Sequence, residues 1–317
     1  MNRPIRCGFV AILDPDKSIH TETVLRALHI YKDIFDNGMI EFILCEDYGS
    51  FEGGAQAATS LVSQGVDIVV GHYASNSALG AVSFYAEHAI PVLLPTATDT
   101  NLTKNRNNVF RLCANNDGII RSLLSLFPRD QQTTFDILTD GSPYATKLAG
   151  VLNSVLLVDA PYLKQEIGAK STVFIGTGTH SALFLQELED NSADRDFILT
   201  DDAACAQLTI PDSLAAGQVR GIGFVPPILV GSHTACVNEY LKRYNEMPSV
   251  YFMETIAALE IISILQRNSD DFISDLNHRK FITSLGNVRF YNGERFQSPL
   301  CLWSNNENHQ LYPVKII

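Results

Sequence analysis

Basic residues are scarce in this chain: 23 Lys and Arg stand against 35 Asp and Glu, for a net charge of −12 in 317 residues. Such a surface gives no electrostatic reason to bind a phosphate backbone or an anionic membrane, so nucleic acid is not an expected partner. No apolar run approaches the ~20 residues of a membrane span. The six cysteines, Cys7, Cys45, Cys113, Cys205, Cys236 and Cys301, form no C-x-x-C and stand at no zinc-ligand spacing with histidine. Most have apolar neighbours, as in Cys7-Gly8-Phe9-Val10, and read as reduced core residues, with disulfides as the alternative. Nucleophile-elbow, phosphate-loop and H-E-x-x-H patterns are also missing, so common hydrolase, nucleotidase and metalloprotease signatures do not apply. Gly176-Thr177-Gly178 follows a strand pattern, but Ser181 stands where a dinucleotide loop needs its third glycine. No cofactor, metal or catalytic residue is therefore expected.

What is present is a regular alternation of short apolar runs and helical stripes, the mark of βαβ units around a parallel sheet. Strands are expected at Ile5–Leu13, Ile40–Cys45, Ile68–Val70 and Val92–Leu94. Helices are expected at Thr21–Phe35, closed by Asn37-Gly38, and at Gly53–Gln64 and Ser77–His88. From Thr133 the pattern restarts with strands at Thr134–Leu138, Thr172–Ile175, Phe197–Leu199 and Gly221–Val225, and helices at Ala145–Leu156 and Ser181–Leu188. A helix at Val250–Gln266 follows, and Asn292-Gly293 between aromatic-bearing segments signals a hairpin over Arg289–Phe296. Two successive α/β units of similar size are the plain reading.

Open α/β sheets bind ligands at the C-terminal ends of their strands. Three polar clusters lie there. Gly71-His72-Tyr73-Ala74-Ser75-Asn76-Ser77 precedes a helix, so its hydroxyls and first-turn amides suit a carboxylate; the plain alternative is that Ser75 or Asn76 merely caps the helix. Pro95-Thr96-Ala97-Thr98-Asp99 places further donors on the same edge, or is a simple turn. Leu199-Thr200-Asp201-Asp202 puts two carboxylates at a strand end, suited to an ammonium group or to a solvated loop or cap.

At these clusters the chain resembles the type I periplasmic binding proteins, and among them the leucine/isoleucine/valine-binding and amide-binding family. The stretches that carry the resemblance include Glu46-Asp47-Tyr48, Gly65 to Gly71, Ile90 to Thr98, Asn108-Val109-Phe110-Arg111, Tyr144 after Thr139-Asp140, and Val288-Arg289-Phe290 with Asn292-Gly293. The resemblance implies an α/β fold of two Rossmann-like lobes, with three crossovers, a hinge and an interlobe ligand cleft. Residues 1–116 plus 234–285 would form one lobe and 117–233 plus 286–317 the other. It further implies that Ser75, the Ala97 backbone and Thr98 hold the carboxylate and amino groups of an amino-acid ligand. Tyr144 would be a second-lobe contact, and Asp202, or Asp201 one residue earlier, the ammonium partner. His72 and Tyr73 join the ligand-binding set through their cluster.

Departures from the family are expected to shift the ligand. Asp14-Pro15-Asp16-Lys17-Ser18-Ile19-His20 brings charge and bulk where the family has a small loop, Ala145 replaces a glycine, and Glu254 stands at a position often aromatic. Met1-Asn2-Arg3-Pro4 runs straight into the first strand without a secretory pattern, so a cytoplasmic location is expected, or a periplasmic one if Met1 replaces a signal. The expected function is non-catalytic binding of a small amino acid, amide or related metabolite by a cytoplasmic sensor or carrier. A regulatory or pathway protein partner and a homodimer are compatible with it. The alternatives are the receptor of an amino-acid ABC importer, and a binding-protein fold recruited as a biosynthetic enzyme, for which Asp14, Asp16, His20, His72, His180 or Glu254 would have to supply the base.

Overall fold

The computed structural model describes residues 3–35, 38–128, 132–160, 162–188, 194–230 and 234–317. Met1, Asn2, the expected cap residue Asn37 and the expected boundary at 233 lie outside them. The chain forms two α/β units: one comprises residues up to Ala114 with Pro226–Ser298, the other Asn115–Val225 with Pro299–Ile317.

The first unit opens with β1 (Ile5–Ala11), α1 (Thr21–Phe35), β2 (Ile40–Glu46), α2 (Phe51–Ser63), β3 (Ile68–Val70), α3 (Ser75–Glu87), β4 (Val92–Leu94) and β5 (Val109–Arg111). All three residues of β3, β4 and β5 are buried, as the continuous apolar runs of β3 and β4 require of central parallel strands. The order β2-β1-β3-β4-β5 reverses direction beside β1, and such a reversal opens a ligand crevice at the carboxyl ends of the strands. α2 and α3 cover one face through Ala57, Ala58, Leu61, Ala78, Ala81 and Val82.

The second unit repeats the plan. It runs α4 (Asn116–Leu124), β6 (Thr133–Thr139), α5 (Pro143–Asp159), β7 (Leu163–Gln165), β8 (Ser171–Ile175), α6 (Gly178–Gln186), β9 (Asp196–Leu199) and β10 (Val219–Phe224), with strand order β7-β6-β8-β9-β10. Phe135, Leu148, Val173, Phe197 and Phe224 are buried in its core.

The chain then returns to the first unit as α7 (Ala235–Tyr244), α8 (Phe252–Asn268), α9 (Phe272–His278), the small pair β11 (Phe281–Thr283) and β12 (Gly286–Val288), and the hairpin β13 (Phe290–Tyr291) and β14 (Glu294–Arg295). Asn292 and Gly293 take positive φ of 49° and 77°, the geometry an Asn-Gly turn supplies. β15 (Leu300–Asn305) and β16 (Leu311–Ile316) finish the second sheet, β15 running antiparallel to β10.

The expected lobe boundaries need correction. Residues 286–298 belong to the first unit because β14 pairs with β5, and residues 226–230 also fall in it, whereas Asn115 and Asn116 open the second. All six cysteines are free, and five of them are buried. No helix is long and apolar enough to cross a membrane among the described residues.

Candidate functional site

In the first unit the loops after β3 and β4 meet. α3 begins at Ser75 with Ala74 as its N-cap, in extended conformation and with no side chain able to accept a first-turn amide. The first helical bond is Ala78 N to Ala74 O at 3.0 Å. The amides of Ser75, Asn76 and Ser77 therefore precede the helical ladder at the positive end of a 13-residue helix. The expectation that Ser75 or Asn76 is the cap is thus corrected: both lie inside the helix. The Ser75 hydroxyl instead accepts from the amides of Thr98 at 3.0 Å and Asp99 at 3.1 Å. Ser75, Ala97 and Thr98 are brought together by these bonds, with Ala97 and Thr98 buried.

The loop after β4 is fixed from behind by Arg111, which is fully buried. Its Nη1 donates to the carbonyls of Ala97 and Asp99, both at 2.9 Å. Its Nε and Nη2 donate to the Glu294 carboxylate at 3.1 and 2.8 Å. Sequence reasoning placed neither Arg111 nor Glu294 in the site. The available signal was an arginine ending an otherwise apolar strand, which must find an acceptor when buried.

His72 and Tyr73, expected to hold ligand, are engaged in packing. His72 is fully buried, with Nδ1 2.7 Å from Asp47 Oδ2 and Nε2 3.3 Å from the Tyr85 hydroxyl, so neither ring nitrogen is left for a ligand or a proton transfer. Burial pushes the Asp47 carboxyl up, but the His72 hydrogen bond and charge and the Gly49 amide outweigh it and hold it below its ordinary value. The Tyr73 hydroxyl lies 2.9 Å from Thr255 Oγ1, which donates to Tyr251 O at 2.7 Å, so Tyr73 is the donor. This chain supports Tyr251 in its left-handed conformation, φ 77°, where the His20 ring stacks on it at 4.0 Å.

The second unit's edge has a different character. Tyr144, in the first turn of α5, donates to Asp201 Oδ1 at 2.6 Å and lies 3.0 Å from Thr200 Oγ1. Burial, then the charges of Asp201 and Asp202, push its phenol well above the ordinary value, so Tyr144 remains a donor. Asp202 Oδ2 accepts from Gly178 N at 2.6 Å, and Asp140 Oδ2 from Thr177 N at 2.9 Å. Two amides at the start of α6 thus already have carboxylate partners, and the Thr177 side chain caps the same turn. Gly176-Thr177-Gly178 is a helix start filled by its own chain, in contrast to that of α3. His180 Nδ1 lies 3.1 Å from Asp140 and the rest of its ring is half-exposed. No group of three metal-ligating side chains occurs among the described residues.

Residues 31–156 match the family described as periplasmic binding protein. A Leu/Ile/Val-binding protein homolog of Brucella abortus is 26% identical over 140 residues, 43% of this chain and 35% of that protein. A Leu/Ile/Val-binding protein, BraC3, of Rhizobium johnstonii is 36% identical over 75 residues, 23% of this chain and 20% of that protein. The matched stretch thus spans about a third or less of these relatives. Solved structures are similar over the whole chain. A leucine-binding protein, LivK, of Thermotoga maritima has a TM-score of 0.82 at 13% identity, covering 99% of this chain and 98% of its own. The branched-chain amino acid transporter substrate-binding protein LivJ of Streptococcus pneumoniae, in complex with isoleucine, has 0.80 at 16%, covering 99% of both. A solute-binding protein of Rhodopseudomonas palustris, in complex with 3,4-dihydroxybenzoic acid, has 0.80 at 13%, covering 99% and 97%. Over its whole length the chain has the fold of these type I periplasmic binding proteins, and its residues 31–156 match the periplasmic binding protein family and, more distantly, Leu/Ile/Val-binding proteins.

Proposed function

We propose that the chain is a non-catalytic binder of a small carboxylate-bearing metabolite, an amino acid or a derivative of one, whose carboxylate is held by the first turn of α3. The observation that carries this reading is the start of that helix. An alanine at the N-cap forgoes a stabilising side-chain bond that Ser, Thr, Asp or Asn would supply. It leaves room for an external anion on the Ser75, Asn76 and Ser77 amides, with Thr98 held alongside by Ser75. The ligands named for similar structures, isoleucine, 3,4-dihydroxybenzoic acid and benzoate, share a carboxylate and little else, which agrees with an anchor of this kind.

Ala74→Asp tests the anchor. A carboxylate at the N-cap would occupy the first-turn amides itself, so the ligand-free protein gains about 0.5–2 kcal/mol while carboxylate ligands bind at least tenfold more weakly. Thermal-shift titration with amino acids, amides and aromatic acids reads both effects. A variant that is more stable yet binds as before would remove the helix start from the site.

The cellular setting we infer is that of a cytoplasmic sensor or carrier. The similarity to ABC transporter substrate-binding proteins favours a second reading, an importer receptor. Locating the native protein by cell fractionation distinguishes the two: recovery in the periplasm leaves only the receptor.

A further inference from the structure

Two polar atoms of the first unit, Glu254 Oε2 and Arg295 Nε, are buried without a hydrogen-bond partner. Glu254 is 4% exposed. As the third residue of α8 it stands where a glutamate reaches back to the N-cap amide, and the amides of Tyr251 and of Glu254 itself act on its carboxyl from that side. That role occupies one oxygen and leaves the other. The Arg295 Nη atoms lie 3.4 and 3.3 Å from the carbonyls of Leu112 and Leu285, which leaves Nε–H. Glu254 and Arg295 feel each other's charge, yet no hydrogen bond joins them among the described residues.

Each side chain is linked electrostatically to a residue that bonds the segment carrying Ala97. Glu254 acts electrostatically on Tyr73, whose carbonyl accepts from Thr96 Oγ1 at 3.2 Å. Arg295 acts on Cys113, whose Sγ lies 3.8 Å from Ala97 O. An unfilled acceptor and an unfilled donor buried in the same unit are costly unless something satisfies them. A primary carboxamide satisfies both through adjacent atoms, N–H toward Glu254 and C=O toward Arg295. An aliphatic group serves neither, and an ammonium serves only Glu254.

We infer that Glu254 and Arg295 form a second recognition point on the first unit, selecting a carboxamide-bearing ligand over an aliphatic one of the same shape. This rests on the α3 carboxylate anchor proposed above. L-Asparagine and L-leucine test it, since their side chains share branching and differ in chemistry; L-glutamine adds one methylene. Isothermal titration of the wild-type chain is expected to give asparagine or glutamine at least tenfold tighter binding than leucine, because a site built to hydrogen-bond rejects the analogue that cannot. Glu254→Leu is expected to reverse the order and Glu254→Gln, which keeps an acceptor, to retain it, with circular dichroism confirming the fold; Arg295→Met gives the same comparison if Glu254→Leu does not fold. Leucine binding as tightly as both amides, or an unchanged order in Glu254→Leu, overturns the inference and leaves the anchor standing. Binding of none of the three also overturns the inference, while the anchor is judged separately by Ala74→Asp with the wider set of carboxylates.

Discussion

Burial pushes the Glu254 carboxyl up to about 7, against the opposing pull of the nearby amides and the Arg295 charge. In the unfolded chain the same group titrates near 4.5. A raised carboxyl pKa means the unfolded state ionises first. No cost is present below about pH 4.5, the cost grows as pH rises to about 7, and it is constant above. The gap corresponds to roughly 3 kcal/mol at about 1.4 kcal/mol per pH unit. Glu254→Gln removes the titration, so its stability relative to wild type should improve by up to that order between pH 5 and pH 8. Urea unfolding at the two pH values checks this. An equal difference at both would mean that Glu254 does not change its ionisation on folding. His72, also buried, differs from Glu254 in that both its ring nitrogens have partners, Asp47 and Tyr85.

Among the elements, the α2–α3 pair bears most directly on the site. Gly54 and Gly80 let the two helices approach until backbone meets backbone: a Cβ on Gly54 would lie 1.9 Å from Ser77 O, and one on Gly80 2.0 Å from Phe51 O. Alanine normally favours a helix over glycine by about 1 kcal/mol. Here Gly54→Ala must push α3 away at its first turn, and overpacking of this kind costs about 1–3 kcal/mol. The expected result is a lower melting temperature together with weaker ligand binding, because the Ser77 amide is part of the proposed anchor. Thermal melts and titration read the two, and a Gly54→Ala variant as stable as wild type would contradict the close approach. Local signals made much of this layer legible in the sequence. β3 and β4 have the expected limits, α1 spans the expected Thr21–Phe35, and Asn292-Gly293 makes its hairpin. What stayed hidden depends on distant partners. β5 is three residues ending in Arg111, a poor strand signal until Glu294, 183 positions later, neutralises it. β15 takes its place by antiparallel pairing with β10, and β16 by pairing with β15. In the candidate site, the family resemblance pointed to Ser75, Ala97 and Thr98, and the Ser75 hydroxyl gathers that segment through the amides of Thr98 and Asp99. The role of Ala74 was not, because its contribution is a missing side chain.

At the scale of the whole molecule, the chain passes between its units three times, after Ala114, Val225 and Ser298. The first unit is therefore discontinuous, and the β14–β5 pairing with the Arg111–Glu294 ion pair closes it over that long separation. Each unit has its own sheet and its own buried side chains, the condition for unfolding as a separate cooperative block. The sequence contains a single tryptophan, Trp303, which is buried in β15 of the second unit and donates through Nε1 to Phe224 O at 3.3 Å. Its fluorescence therefore reports the second unit, whereas far-ultraviolet circular dichroism reports both. Arg111→Ala leaves Glu294 without its arginine, with the Thr103 hydroxyl as a remaining donor, and removes the donor to the carbonyls of Ala97 and Asp99 in the first unit, so the first unit should lose about 1–3 kcal/mol. In denaturant titrations of this variant, the dichroism curve should acquire an earlier phase while the tryptophan midpoint stays where it is in the wild type. A tryptophan midpoint that moves with the dichroism would mean that the three crossings couple the units into one cooperative block, and that a ligand held on the first unit stabilises the second as strongly as its own.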